Sequence, residues 1–379
     1  MAAPFRILTV FGTRPEAIKL VPLLRELAGD ERFDSRICIT RQHTEMLGQV
    51  LAVAAIEPHR VVELERSGQG LDELVAALLT GIGSAVEAEQ PDMVLVQGDT
   101  ATAMAGALSA YHRKVPVAHV EAGLRSGDTQ NPWPEELNRR IISAIACLHF
   151  APTRAAAEAL LAENVPASTV HVTGNTVIDA LHWITACIER QPDLAGRMGE
   201  LERRFSGRRI IGVTAHRRES RGGGMAAIAD AVAGLARRPH VGIVFPVHLN
   251  PAVRGPMRER LGGLDNVALV EPLNYAEFAR LLAISTLMLT DSEGVQEEAP
   301  ALGTPVLVMR ETTERPEGVE AGAARLVGTD ASRILEEAVR LLEDESAYAR
   351  MAQARNPYGD GRAAERIVGL LAGRAAARG

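Results

Sequence analysis

At 379 residues the chain is longer than one hydrophobic core comfortably serves, so two domains of ordinary size are expected. A formal net charge of -7 excludes a general binder of nucleic acid or anionic membranes, and any anion site must be a local cluster of positive charge. With 46% hydrophobic and 23% charged residues the composition is globular, and no apolar run reaches the roughly 18 residues of a membrane span.

From the N-terminus, Met1 to Phe5 run straight into a strand signal, without the basic and apolar stretches of a leader. Cys38, Cys147 and Cys187 are too scattered for a CxxC pair or a metal spacing, which reads as buried thiols in a reducing compartment. A soluble, cytoplasmic protein is expected. Apolar runs of strand length then recur at Ile7-Phe11, Met93-Val96, Val115-Val120, Ile210-Thr214, Val241-Val247, Val267-Val270, Leu287-Thr290 and Val306-Met309. Amphipathic stretches of helix length lie between them, among them Glu16-Leu27, Leu71-Glu89 and Met225-Leu235. Continuous apolar strands alternating with helices predict parallel sheets covered on both faces, with ligands beyond the carboxyl ends of the strands. The pattern turns polar from Glu189 to Arg209, and the interdomain linker is placed there. The domains expected are 1–190 and 191–360, both Rossmann-like. Asn356-Pro357-Tyr358-Gly359-Asp360-Gly361 then breaks a helix, and a last helix, about Arg362-Leu371, closes the second domain or crosses back onto the first.

Five stretches carry the polar chemistry. Phe11-Gly12-Thr13-Arg14-Pro15-Glu16-Ala17-Ile18-Lys19 is a strand end, a tight turn and a helix start flanked by Arg14 and Lys19. Gln97-Gly98-Asp99-Thr100 delivers a carboxylate to a strand end, where Asp99 is equally suited to capping a helix. His119-Val120-Glu121-Ala122-Gly123-Leu124-Arg125 ends another strand on a carboxylate and opens a long polar loop that continues through Pro132-Trp133-Pro134-Glu135. Long loops at such strand ends are usually functional. His216-Arg217-Arg218, followed by Gly222-Gly223-Gly224, has the look of a phosphate site. Asp291-Ser292-Glu293-Gly294 is a small-residue turn before a helix that carries Glu298, and Arg310 to Arg315 add cations after the next strand. No metal is expected, because Asp99, Glu121, Asp128 and His216 lack ligand spacing. Ser-His-Asp hydrolysis is a poor fit, since there is no GxSxG elbow.

Together these motifs resemble the bacterial non-hydrolysing UDP-N-acetylglucosamine 2-epimerases. The resemblance runs from about Arg6 to Val368 and rests on FGTRPEAIK, HVEAGLRSGD, PWPEELNR, VTGNTVIDAL, PVHLNP, VQEEAP, TTERPEG and NPYGDGRA. It implies an α/β fold of the GT-B type: two doubly wound, Rossmann-like parallel-sheet domains with the nucleotide sugar in a cleft between them. It also implies a homodimer and a last helix, 361–379, packed on the first domain. Asp99, Glu121 and Glu135 would be catalytic carboxylates, with His216 near the diphosphate. Arg14 and Lys19 would lie near the substrate, and Ser292, Glu293 and Gly294 would form the diphosphate loop. Glu298 would hold ribose, Arg315 would be a cationic contact, and the segment from Leu273 to Phe278 would pack on uracil. Gln42 and His43 match a region implicated in allosteric activation by substrate.

The implied reaction is reversible epimerisation of UDP-GlcNAc to UDP-ManNAc, by elimination of UDP to 2-acetamidoglucal and re-addition, without a nicotinamide cofactor. Rival readings are a hydrolysing 2-epimerase, an epimerase for a modified UDP-acetamido sugar, a GT-B glycosyltransferase and a non-catalytic UDP-sugar sensor. The intact carboxylate set favours an enzyme. One residue departs from the family pattern: Glu293 stands where Ser-Gly-Gly is common. Two orientations follow. Either its side chain points into solvent and is tolerated, the one favoured here because the other motifs are intact, or it competes with substrate phosphate and marks weak or altered substrate use.

Overall fold

The computed structural model describes residues 3–40, 44–64, 70–215, 223–247 and 251–376. His216, Gln42 and His43 therefore lie outside the described residues. The chain divides into two compact units, Met1–Ala180 with Gly359–Gly379, and Leu181–Tyr358.

Among the described residues the first unit holds β1 (Phe5–Phe11), β2 (Phe33–Thr40), β3 (Arg60–Val62), β4 (Met93–Gln97), β5 (Val117–Val120), β6 (Leu148–Ala151) and β7 (Val170–Val172). They form one sheet in the order β3-β2-β1-β4-β5-β6-β7. Every neighbouring pair is parallel. Ile7, Leu8 and Val10 of β1 and Met93 to Val96 of β4 are fully buried, as the interior of a sheet covered on both faces requires. The order reverses between β1 and β4. That reversal leaves a crevice beyond their carboxyl ends, where ligands of doubly wound sheets bind.

The closing helix Ala363–Ala376 belongs to this unit. It packs on helix Arg14–Ala28, and its Ala364 N–H donates to Asp179 Oδ1 at 2.8 Å.

The second unit holds, among its described residues, β8 (Arg209–Thr214), β9 (Val241–Pro246), β10 (Val267–Val270), β11 (Leu287–Thr290), β12 (Val306–Val308) and β13 (Ala324–Leu326). Their order is β10-β9-β8-β11-β12-β13, again with parallel neighbours. The reversal here lies between β8 and β11. One face is filled by Ile211, Val213, Ile243, Leu289 and Leu307 against helices Gly223–Ala236 and Ala331–Glu343.

The polar stretch from Glu189 to Arg209 is part of the second unit. The division falls earlier, between Ala180 and Leu181 within helix Thr176–Arg190. The stretch reads as polar because helix Arg197–Arg204 exposes its charges, while Met198, Leu201 and Phe205 are buried against Val244 and Leu281. The thiols also differ from expectation: Cys38 is buried, with its pKa pushed up to about 12 by burial, whereas Cys147 and Cys187 are only partly covered. Among the described residues no helix is long and apolar enough to cross a membrane.

Candidate active site

A cavity of about 490 Å³ opens at the carboxyl ends of β1, β4 and β5, lined by Arg14, Glu16, Lys19, Gln97, Gly98, Asp99 and Glu121 among others. It sits at the reversal in strand order of the first sheet.

Glu121 follows β5 directly and has a φ of +62°, a left-handed conformation that side chains resist. Neighbouring bonds hold it there. Ala122 N–H donates to Phe150 O at 3.0 Å, and Gly98 N–H donates to Val120 O at 3.0 Å. Gly123, at φ +92°, must be glycine, since a Cβ there would stand 2.2 Å from the Ala156 carbonyl oxygen. The Glu121 side chain is buried and accepts from several donors. Lys19 Nζ reaches its two oxygens at 2.6 and 2.8 Å, Asn175 Nδ2 donates to Oε1 at 3.0 Å, and Gln97 Nε2 donates to Oε2. Donors on every side hold this group as a carboxylate.

Asp99 lies in the turn after β4. Arg139 Nε and an Arg139 terminal nitrogen donate to its Oδ2 at 3.0 and 2.5 Å, and Asn138 Nδ2 donates to its backbone oxygen at 2.9 Å. Burial is the largest influence on Asp99 and raises its pKa. Arg139 opposes this, the nearby Glu121 charge reinforces it, and Lys19 again lowers it. Asp99 does not cap the following helix: Thr100 does, its Oγ1 accepting from Ala103 N–H at 3.0 Å.

Glu16 is buried at the floor of the cavity. It accepts from Thr13 N–H at 2.8 Å, Gly12 N–H at 3.1 Å and Thr100 Oγ1 at 2.7 Å, tying the turn after β1 to the turn after β4. Burial raises its pKa against those hydrogen bonds. Below the site, His119 Nε2 bonds the Gly98 carbonyl at 2.7 Å, and burial holds its pKa down to about 3. The Nε2 of a neutral ring is therefore the donor. Glu135 opens helix Glu135–Ile145, the helix that also supplies Asn138 and Arg139. It is half-buried and is not among the cavity's lining residues.

In the second unit, Ser292 stands at the N-cap position of helix Glu293–Glu298 just beyond β11, and its N–H donates to Thr290 Oγ1 at 2.9 Å. Glu293 does not face solvent, which corrects the orientation favoured from the sequence. Its carboxylate turns towards Arg310 at 3.7 Å and Arg315 at 3.5 Å, because two guanidiniums converge beside that turn. Arg315 Nε also donates to Glu297 Oε1. Gly294 is exposed, and Glu298 is buried at the end of the same short helix. The Tyr275 hydroxyl is buried, and its pKa is raised well above the usual value by burial and then by Glu298. Leu273 and Phe278 pack into the cluster of Met198, Phe205 and Leu281.

The structure thus gathers Arg14, Lys19, Asp99 and Glu121 around one cavity of the first unit, and Ser292, Glu293 and Arg315 at one turn of the second. Sequence reasoning assigned no role to Gln97, Asn138, Arg139 or Asn175, which hold the two carboxylates. Their only signal is membership of the same motifs, as in PWPEELNR and VTGNTVIDAL. Among the described residues no group of three or more His, Cys, Asp or Glu is placed to hold a metal ion.

The sequence profile described as UDP-N-acetylglucosamine 2-epimerase matches residues 25–372. The UDP-N-acetylglucosamine 2-epimerase of Yersinia pestis is 49% identical over 371 residues, covering 97% of this chain and 98% of that one. The enzyme of the same name from Escherichia coli K12 shows the same identity and coverage. Among solved structures, UDP-GlcNAc 2-epimerase from Neisseria meningitidis bound to UDP-GlcNAc superimposes with a TM-score of 0.86 at 43% identity, covering 97% of this chain and 99% of that one. The two parallel-sheet units share the GT-B architecture of these neighbours.

Proposed function

The chain belongs to the UDP-N-acetylglucosamine 2-epimerase family, and from that premise we propose that it interconverts UDP-GlcNAc and UDP-ManNAc by elimination and re-addition of UDP. A base takes the proton from C2 of the sugar, and the C2–H electrons become the C1=C2 bond. The C1–O bond breaks, and UDP leaves with that pair. UDP then adds back to C1 of the 2-acetamidoglucal while a proton reaches C2 on the opposite face. One observation carries this reading: Asp99 and Glu121 share one cavity in different environments. Glu121 is held ionised by Lys19, Gln97 and Asn175, whereas Asp99 is pushed towards protonation by burial and by Glu121. Two carboxylates in unlike surroundings at one cavity can take and return protons on two faces.

The remaining roles follow from this assignment. Glu135 is a third carboxylate for the sugar. Arg14, His216 and Arg315 stabilise the departing diphosphate. Ser292, Glu293 and Gly294 form its loop, Glu298 accepts from ribose hydroxyls, and the segment from Leu273 to Phe278 packs on uracil. Gln42 and His43 serve activation by substrate. The enzyme works as a homodimer in the cytoplasm.

Proton NMR of the protein with UDP-GlcNAc tests the reading. It should show UDP-ManNAc growing to a constant ratio with total nucleotide sugar conserved. Free N-acetylmannosamine with matching UDP would make the enzyme hydrolysing, and an unchanged spectrum would overturn the proposal.

A further inference from the structure

Two arginines of the second unit converge on one carboxylate. Arg310 lies beyond β12 and Arg315 just before the short helix Pro316–Glu320. Their side chains are only 7% and 14% exposed. Glu293 Oε1 stands 3.7 Å from an Arg310 nitrogen, and Glu293 Oε2 stands 3.5 Å from an Arg315 nitrogen. These distances exceed the roughly 2.7–2.9 Å of a tight charge-assisted hydrogen bond, so these two contacts are attractions of charge on charge. The same segment is fastened to the helix at two further points, by Thr313 Oγ1 donating to Gln296 Oε1 at 2.6 Å and by Arg315 Nε donating to Glu297. Arg315 therefore stays anchored through Glu297 if the Glu293 carboxylate swings away. Planar guanidiniums presented in pairs suit a diphosphate, which offers more charge and more acceptor oxygens than a single carboxylate.

We propose that Glu293 is an internal counter-anion for Arg310 and Arg315, and that the diphosphate of the nucleotide sugar competes with it for them. The inference rests on the reading of this loop as the diphosphate site. It makes residue 293 the setting for diphosphate affinity. Competition acts on substrate, product and free UDP alike, because all three carry the same group. Glu293 thus weakens the hold on nucleotide, raising KM and hastening its release. Neither the uracil nor the sugar of the ligand takes part in the exchange.

Calorimetry on the wild type, Glu293→Gln and Glu293→Gly, with UDP and uridine as probes at low and high ionic strength, tests this. Both variants should bind UDP about tenfold more tightly at low salt, the effect of one ordinary charge-assisted contact. The gain should shrink at high salt and be absent for uridine. In an Arg310→Gln background the Glu293→Gln gain should fall, because the two residues are coupled. UDP binding that is equal or weaker in folded variants overturns the counter-anion role and leaves the diphosphate site standing. Failure of all forms, wild type included, to bind UDP overturns both.

Discussion

Arg139→Gln is expected to cripple turnover while leaving nucleotide binding in place. Arg139 places two nitrogens on one oxygen of Asp99, at 3.0 and 2.5 Å, with side chains 12% and 25% exposed. It is the largest influence lowering the Asp99 pKa, against the stronger upward push of burial and that of the Glu121 charge. Hydrogen bonds to a charged group contribute about 1.5–3 kcal/mol. If that support is felt in full at the transition state, its loss slows kcat by about 10- to 100-fold near neutral pH. The sign is fixed by the geometry. Without the guanidinium, Asp99 holds its proton to higher pH, so the limb of the kcat–pH profile that reports it moves up in pH. Steady-state kinetics across a pH series on wild type, Arg139→Gln and Arg139→Lys would measure this, with UDP affinity as the control. Lysine should restore part of the rate, since it returns the charge without the forked geometry. A glutamine variant with the wild-type kcat and an unmoved profile would refute the role given to Arg139.

Asp99→Asn, Glu121→Gln and Glu135→Gln should each lower kcat by roughly 10² to 10⁴-fold with UDP affinity nearly unchanged, and normal turnover would remove that residue from the mechanism. Asn175→Leu removes a donor at 3.0 Å from the buried Glu121. It should cost about 1–3 kcal/mol in urea unfolding and lower kcat, and a stable, fully active variant would contradict the network. Burial holds His119 down to about 3 and His149 down to about 4, so both stay neutral in the folded chain. An unfolded imidazole titrates near 6.5, so stability is full above that pH. It falls as the pH drops towards about 4, by up to about 1.4 kcal/mol per pH unit for each ring. Urea midpoints at about pH 7 and 5 should therefore separate less in His119→Gln than in the wild type, and equal separations would count against a neutral buried ring.

The parts of the fold legible in the sequence are those set by local pattern. Met93 to Val96 and Leu287 to Thr290 are continuous apolar runs because both faces of their strands are covered, and both appear as strands. β2 is harder to see. Its Asp34, Ser35 and Arg36 interrupt the apolar run, and Asp34 is tied to Arg6 and Arg36 by ion pairs that local pattern does not reveal. The stretch from Glu189 to Arg209 misled for the opposite reason, since a helix with one buried face carries as many charges as a linker.

At the site, motif resemblance pointed to Asp99, Glu121 and Lys19, which line one cavity, but not to what restrains them. Gln97 and Asn175 reach Glu121 across 24 and 54 residues of sequence, and Asn138 and Arg139 reach Asp99 across 39 and 40. Such partners are set by sheet order and are invisible to periodicity. Glu293 shows the same limit. Its orientation depends on guanidiniums delivered beyond β12, whereas its own turn follows β11.

The most direct test of the account is the reaction with UDP-GlcNAc in deuterated water, followed by NMR and mass spectrometry. Proton removal at C2 through a 2-acetamidoglucal predicts UDP-ManNAc carrying one deuterium at C2, with the label also entering the recovered UDP-GlcNAc at that carbon. UDP-ManNAc formed with its original hydrogen at C2 would contradict the elimination, and with it the work assigned to Asp99 and Glu121.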